Sequence, residues 1–433
     1  MPSIGWKADR VNDKLASFMF PPPEKLLGDY LRLEPHTRNG QWEAARYFME
    51  LVDDHGLGDA QILEYPQFPD GSGESYPLLK IMSSPGLSFP ARMMTWLGHL
   101  DTVEPGKKQL GHDALTIEQR DGRTIGKGRG TLDMGAGNIA FFSALRILRE
   151  NHRARSAIQL LLPSQEEGGS GVLYQALRKG HVEHSEIGAT TEILVGDDGK
   201  KSPLYFGRTG RIGINATFEG KALHTGAADR YPEELDFIAI RYFARAIDEM
   251  IDRERCFAVE NAYPGDTQGF LRTRSRAIPG LPGGEIQGLS VARAISQHFD
   301  IHHSDPNLSP EMVIAQMHHY LVEQANIPAE CIDLALEHRH GVPFIQPYLT
   351  PPDHPLVSVA HQYAEEIEGG RVEKGAANGV AEDGLLFHMN GTNMVGWSPV
   401  GKDAHEDSEE VDIGSITDRT RWLVKLVEHD GVF

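Results

Sequence analysis

The sequence predicts an α/β protein, a mostly parallel sheet layered by helices and interrupted by a smaller inserted α+β domain. Three observations carry this. From about residue 24 to 207, short apolar runs alternate with helical patterns, the order expected of a parallel sheet covered by helices. Around residue 208 the pattern changes to strict apolar–polar alternation, as in half-exposed antiparallel strands. The chain has 433 residues, too many for one compact core, so two domains are expected.

The elements follow in order. "QWEAARYFMELVDDHG" is an amphipathic helix stopped by Gly56. "MMTWLGH", "AIQLLLP" and "EILVG" are short, nearly continuous apolar runs, the mark of strands buried on both faces. Between the first two lies the helical "NIAFFSALRILRE". "RIGINATFEG" and "AISQHFDIHH" alternate. On the latter, Ile295, Phe299 and Ile301 fall on one face and His298, Asp300 and His302 on the other. "SPEMVIAQMHHYLVEQA" follows as a helix, "PYLTPPDHPL" is a proline-rich return, and "TNMVGW" is a last apolar strand. The expected organisation is one domain in two segments, 1–207 and 343–433, around an insert at 208–342.

Composition narrows the function. Apolar residues make up 40% and charged residues 24%, which fits a globular protein, and the net charge of −20 argues against nucleic acid or an anionic membrane as the partner. No apolar stretch approaches a membrane span, and "MPSIGWKADRVNDK" lacks a signal pattern. With Cys256 and Cys331 as the only cysteines, a reducing, cytoplasmic setting is expected.

Five polar clusters fall at predicted strand ends or in loops, where open α/β sheets build their sites. His99 and Asp101 stand two apart, so the carboxylate of one can hold the ring nitrogen of the other that is not on a metal. Asp133, in "GKGRGTLDMGAGN", reads either as a helix N-cap or as a carboxylate bridging two cations. Glu166 and Glu167 form an adjacent pair before glycines, one able to bind metal while the other stays free as a base. Asp197 and Asp198 end "ILVGDD", and His405 sits in the acidic run "GKDAHEDSEE". Two histidines and three carboxylates suit zinc or a similar divalent ion rather than a thiolate site.

The same residues resemble a known family. His99-x-Asp101, the stretch from Gly128 to Met134 that carries Asp133, and Glu166-Glu167 followed by glycine are similar to the co-catalytic metallohydrolases. That family includes glutamate carboxypeptidase, aminoacylase, acetylornithine deacetylase, succinyl-diaminopimelate desuccinylase and the tripeptidase PepT. The resemblance covers nearly the whole chain, including the change near 208, where the family inserts a dimerisation or lid domain. "FEGKALHTG" is similar to the family's Gly-Lys-x-x-His-x-Gly motif. It implies that His99 and Asp197 hold one metal, with Asp198 as a neighbouring candidate, and that Glu167 and His405 hold the other. Asp133 would bridge them, Glu166 would act as general base beside Asp101, and His224 would reach across a homodimer to the reacting group. One or two divalent ions are implied, zinc first, with manganese or cobalt as alternatives.

Two departures bear on substrate. Where the family carries an Asn-x-x-Pro motif and an Asp-Ile-Arg strand end, this chain reads Arg276-Ala-Ile-Pro279 and Asp300-Ile301-His302. Arg276 can restore the lost positive charge, with Arg272 and Arg274 as lesser helpers and His302 at the strand end. The expected function is a metal-dependent hydrolase cleaving a C–N bond, amide or peptide-like, of a small anionic substrate by metal-activated water. The alternatives are an aminohydrolase releasing ammonia from a non-peptide amine, and an inactive binding protein on the same fold. An intact glutamate pair weighs against the second, because a binder needs no base. A phosphoryl-transfer enzyme finds no support, since there is no glycine-rich Gly-Lys-Ser/Thr loop and "GKGRG" is not one.

Overall fold

The structure is a computed structural model describing residues 20–85, 92–106, 114–192, 202–221, 237–251, 258–283, 293–339, 341–342 and 344–431. Its contacts divide the chain into two units. One comprises Met1–Phe206, Thr350–Ala377 and Ala381–Phe433, and the other Gly207–Leu349 with Asn378–Val380.

The first unit opens with helices α1 (Pro23–Leu31) and α2 (Arg38–His55). Thr37 caps α2 by accepting the N–H of Gly40 through its side chain, and Gly56 ends the helix in the left-handed region at φ 60°. Strands β1 (Asp59–Pro66), β2 (Ser75–Ser83) and β3 (Arg92–Leu97) follow, then β4 (Thr116–Arg120) and β5 (Arg123–Lys127). Helix α3 (Ala136–Asn151) leads to β6 (Ser156–Pro163), whose eight residues are all buried. Helix α4 (Gly171–Arg178), β7 (Ile187–Thr190) and β8 (Leu204–Arg208) complete the first segment.

The second unit holds β9 (Gly210–Glu219), α5 (Ala239–Ile251), β10 (Ala258–Ala262), β11 (Arg272–Gly283), β12 (Ala294–His303), α6 (Pro310–Glu323), β13 (Ile332–Leu336) and β14 (Tyr348–Leu349). The chain ends with α7 (Pro355–Glu368), β15 (Lys374–Ala377), α8 (Asp383–Asn390), β16 (Asn393–Gly396), β17 (Gly401–Lys402), β18 (Glu410–Asp412) and α9 (Ile413–Glu428).

The large sheet runs β1-β2-β6-β3-β7-β16-β8-β14, with β15 also on β8. Its centre, β6-β3-β7-β16, is parallel, as the apolar runs predict. Both flanks are antiparallel, so the sheet is mixed. Helices α2 and α3 bring Phe48 and Phe142 face to face, ring centroids 4.4 Å apart, and Trp96 of β3 stacks on Phe141. Helix α9 packs along α3 and α7. A small sheet, β17-β18-β5-β4, stands beside the loop that carries Asp133.

The run "EILVG" expected as a strand lies, from residue 193 on, outside the described residues; the strand beside β3 is the preceding "IGAT" of β7. Small residues are needed there, since a Cβ on Gly188 would come within 2.3 Å of the Met394 sulfur. Glu192 therefore falls just past a strand end, two residues beyond Thr190.

In the second unit the order β10-β11-β12-β9-β13 is antiparallel throughout. Ile212, Ile214, Phe218, Phe299 and Ile301 form its core with Met317 and Leu321 of α6. The other face of β12 carries His298, Asp300 and His302, all partly exposed, as alternation requires. No helix among the described residues is long and apolar enough to cross a membrane.

Candidate metal centre

The chain continues beside β6 after β3 ends, with the Gly98 N–H donating to the Leu161 carbonyl and the Leu100 N–H to that of Pro163. This holds His99 between them, 1% exposed, and Asn138 of α3 donates to its carbonyl at 2.7 Å. Gly98 must be glycine, because a Cβ would come within 2.5 Å of the Asn138 oxygen. The His99 Nδ1–H donates to the Asp101 carbonyl at 2.9 Å, which turns Nε2 inward. There Nε2 faces Asp133 Oδ1 at 3.1 Å and Glu192 Oε2 at 3.5 Å.

Asp133 is not the N-cap of α3. That helix starts at Ala136 behind Gly135, while Asp133 lies in the preceding turn with non-helical φ/ψ of −108° and 98°. Its second oxygen, Oδ2, is 2.9 Å from His405 Nε2, which also lies 3.2 Å from Glu167 Oε1. One carboxylate thus has each of its oxygens on a different imidazole, and each imidazole has a second carboxylate beside it. His99, Asp133 and Glu167 converge closely enough to share an ion.

The electrostatics point the same way. Hydrogen bonds to Asp133 and Glu167 push His405 up to about 11. Burial works against charge on His99, but Glu192, Asp101 and Asp133 outweigh it and raise its pKa. Burial likewise opposes charge on Asp133, yet His405 and His99 hold it below the usual range. Burial, followed by the Asp133 charge, raises Glu167 to about 7. Burial also raises Glu166 well above the carboxylate range, with Glu192 and Glu167 adding to it. The cluster has more negative charge than two imidazoles can offset, and its donor set of imidazole nitrogen and carboxylate oxygen suits a divalent cation.

Asp101 acts differently from the sequence expectation. It is the Asp101 backbone carbonyl that takes the His99 ring proton, the carboxylate being 3.6 Å away. The carboxylate instead accepts the backbone N–H groups of Glu166 and Glu167, at 3.1 Å each. One residue thus fixes the ring of His99 and the glutamate pair together.

Two further carboxylates belong to the centre and were not singled out from the sequence. Glu192 escaped because it was read as the first residue of a strand and not as a carboxylate at a strand end. Glu409 escaped because it sits in an acidic run, where exposure is the normal expectation. It is 1% exposed and accepts the N–H groups of Gly130 (3.0 Å), Leu132 (2.9 Å) and Asp133 (3.1 Å), with Arg129 3.4 Å away. Burial, then the nearby Asp133, raises it to about 7. Gly130 takes φ 75° there, and a Cβ would come within 2.3 Å of the Thr102 methyl.

Asp197, Asp198 and His224 lie outside the described residues. Arg276 is placed by its backbone in β11, opposite Ala258, with its side chain outside the description, as is that of Arg274. His302 lies in β12 of the second unit, opposite Arg211, and burial lowers its pKa. The neighbouring His298, Asp300 and Glu337 could also converge on an ion. Arg211 already occupies that position, bonding the carboxylates of Asp300 and Glu337.

Such a cluster, at the ends of parallel strands in an α/β sheet, has the donor set of a site for divalent metal. Residues 96–429 match the model of peptidase family M20/M25/M40, and the chain belongs to that family. A succinyl-diaminopimelate desuccinylase from Rickettsia rickettsii is 25% identical over 282 residues, 59% of this chain and 68% of that one. Among solved structures, the di-peptidase Dug1p from Saccharomyces cerevisiae superposes with a TM-score of 0.72 at 13% identity, covering 97% of this chain and 96% of that one. The M20 metallo-carboxypeptidase Sso-CP2 from Sulfolobus solfataricus gives 0.71 at 14%, covering 94% and 99%. The protein is a metal-dependent hydrolase of C–N bonds of the amide or peptide kind.

Glu409→Ala leaves three backbone donors beside Asp133 without their acceptor, a loss on the order of 3 kcal/mol in stability. Urea unfolding should record it, with Glu409→Gln losing less because one acceptor oxygen survives. An alanine variant as stable as the parent would mean that Glu409 does not hold this turn.

Proposed function

We propose that the enzyme hydrolyses an amide bond of a small anionic substrate, with Glu166 as general base at a centre of two divalent ions. The observation that carries this reading is the Asp133 carboxylate, with Oδ1 on His99 and Oδ2 on His405. In this reading His99 and Glu192 would hold one ion and Glu167 and His405 the other, with Asp133 available to both. Glu192 takes the part that the sequence suggested for Asp197. Divalent ions bound there would polarise the substrate carbonyl and lower the pKa of water from 15.7 to about 7.

The chain's own residues divide the remaining work. Asp101 holds the Glu166–Glu167 backbone, so the two carboxylates depart from one fixed point. Glu167 faces His405, while Glu166 lines a small cavity with Glu192. Glu166 takes a proton from the attacking water and returns it to the departing nitrogen, worth about 10²–10⁴ in rate. Burial, with Glu192 and Glu167 adding to it, raises this carboxyl above the ordinary range, the direction in which catalytic carboxylates are tuned.

An anionic substrate is supported by the sequence of β11, where arginine stands at 276 in place of the family's asparagine. A guanidinium fork grips a carboxylate through two parallel hydrogen bonds, which the histidine at 302 cannot do.

Protein prepared without chelator should contain divalent metal by elemental analysis, and Glu166→Gln should keep that metal while losing most of its turnover. Loss of metal in Glu166→Gln would instead make Glu166 a ligand. Arg276→Ala should raise KM for a carboxylate substrate far more than for its neutral amide analogue. An equal rise for both would remove Arg276 from charge recognition.

A further inference from the structure

Glu382 immediately precedes α8 and is 1% exposed. Neither of its carboxylate oxygens has a hydrogen-bond partner among the described residues. Its position at the helix start does not explain it, since its side chain caps no backbone N–H. Nor is it placed to be neutralised by the protein, because its strongest charged neighbours are Asp101, His99, Glu192 and Asp383, three of them acids. Burial and these acids push its pKa well above the ordinary range.

An ionised carboxylate left in such a place costs several kcal/mol, and a neutral one still forfeits its hydrogen bonds. A fold that keeps it there needs a compensating positive charge. The carboxylate lines the same small cavity as Glu166 and Glu192, at the end of β3 and β7. That cavity adjoins the His99 side of the centre, where Glu192 approaches the ring.

We propose that Glu382 is a charge partner of the divalent ion held by His99, Asp133 and Glu192, an addition to the ligand set that neither motif nor spacing reveals. The inference rests on the two-ion reading above. It makes the two halves of the centre unequal. The His99 side has three carboxylates around one imidazole, while the His405 side has Asp133 and Glu167. Oxygen-rich surroundings favour a harder ion such as Mn²⁺ over Zn²⁺, so the His99 side is the manganese-tolerant half.

Calorimetric titration of chelator-treated full-length protein with MnCl₂ and with ZnCl₂ tests this, alongside thermal unfolding with and without each ion. Glu382→Gln removes the charge and preserves the shape. It should weaken one of the two binding steps about 10–100-fold, more for Mn²⁺ than for Zn²⁺, and leave the other step unchanged. The same variant should gain less in melting temperature than the parent on adding metal. Glu382→Asp keeps the charge and should retain more affinity than the glutamine variant. Should Glu382→Gln not fold, Glu382→Ser carries the same comparison. Unchanged affinities and an unchanged metal-induced shift in Glu382→Gln overturn the role of Glu382 alone. A parent protein that binds neither ion overturns the two-ion reading with it.

Discussion

The site is organised by one carboxylate with an imidazole on each oxygen. Asp133 occupies the turn before α3, and every other part of the centre can be described by how it approaches that group. His99 comes from the end of β3, His405 from the loop before β18, and Glu167 from the end of β6. A carboxylate shared in this way needs its own position fixed from behind. Glu409 does this by accepting three consecutive-turn N–H groups, and the burial of Glu409 is the cost of holding it there.

A second constraint is the excess of acid. Glu166, Glu167, Glu192, Glu382 and Glu409 are all buried wholly or in part close to Asp133 or to one another, and burial drives several of them above the normal carboxylate range. A protein interior tolerates such groups in their ionised form only when cations balance them. The two imidazoles are too few, which is why the centre is best understood with ions bound. Asp101 shows how economically the backbone is used, since its carbonyl orients one imidazole and its carboxylate fixes the adjacent glutamates.

Much of this was legible in the sequence because strand ends and short polar motifs are local signals. His99, Asp133, the Glu166–Glu167 pair and His405 each follow or precede an apolar run of clear period, and the second unit's strands alternate cleanly. Glu192 was not legible, for the strand before it is built of small residues, which packing against Met394 demands and which carry little apolar signal. Glu409 and Glu382 were hidden for a different reason. A glutamate in a polar stretch looks exposed, and only tertiary contacts reveal that it is buried. The antiparallel flanks of the large sheet were equally hidden, because apolar runs report burial and not strand direction.

The central claim is that Asp133 bridges two ions, with Glu192 on the His99 side. Anomalous X-ray diffraction from crystals of the manganese-loaded protein tests it most directly. Two peaks should appear about 3.5–4 Å apart, one on each side of the Asp133 carboxylate, with a Glu192 oxygen against the ion next to His99. A single peak that leaves Asp133 unshared, or an ion next to His99 held by the loop around Asp197 in place of Glu192, would contradict the account.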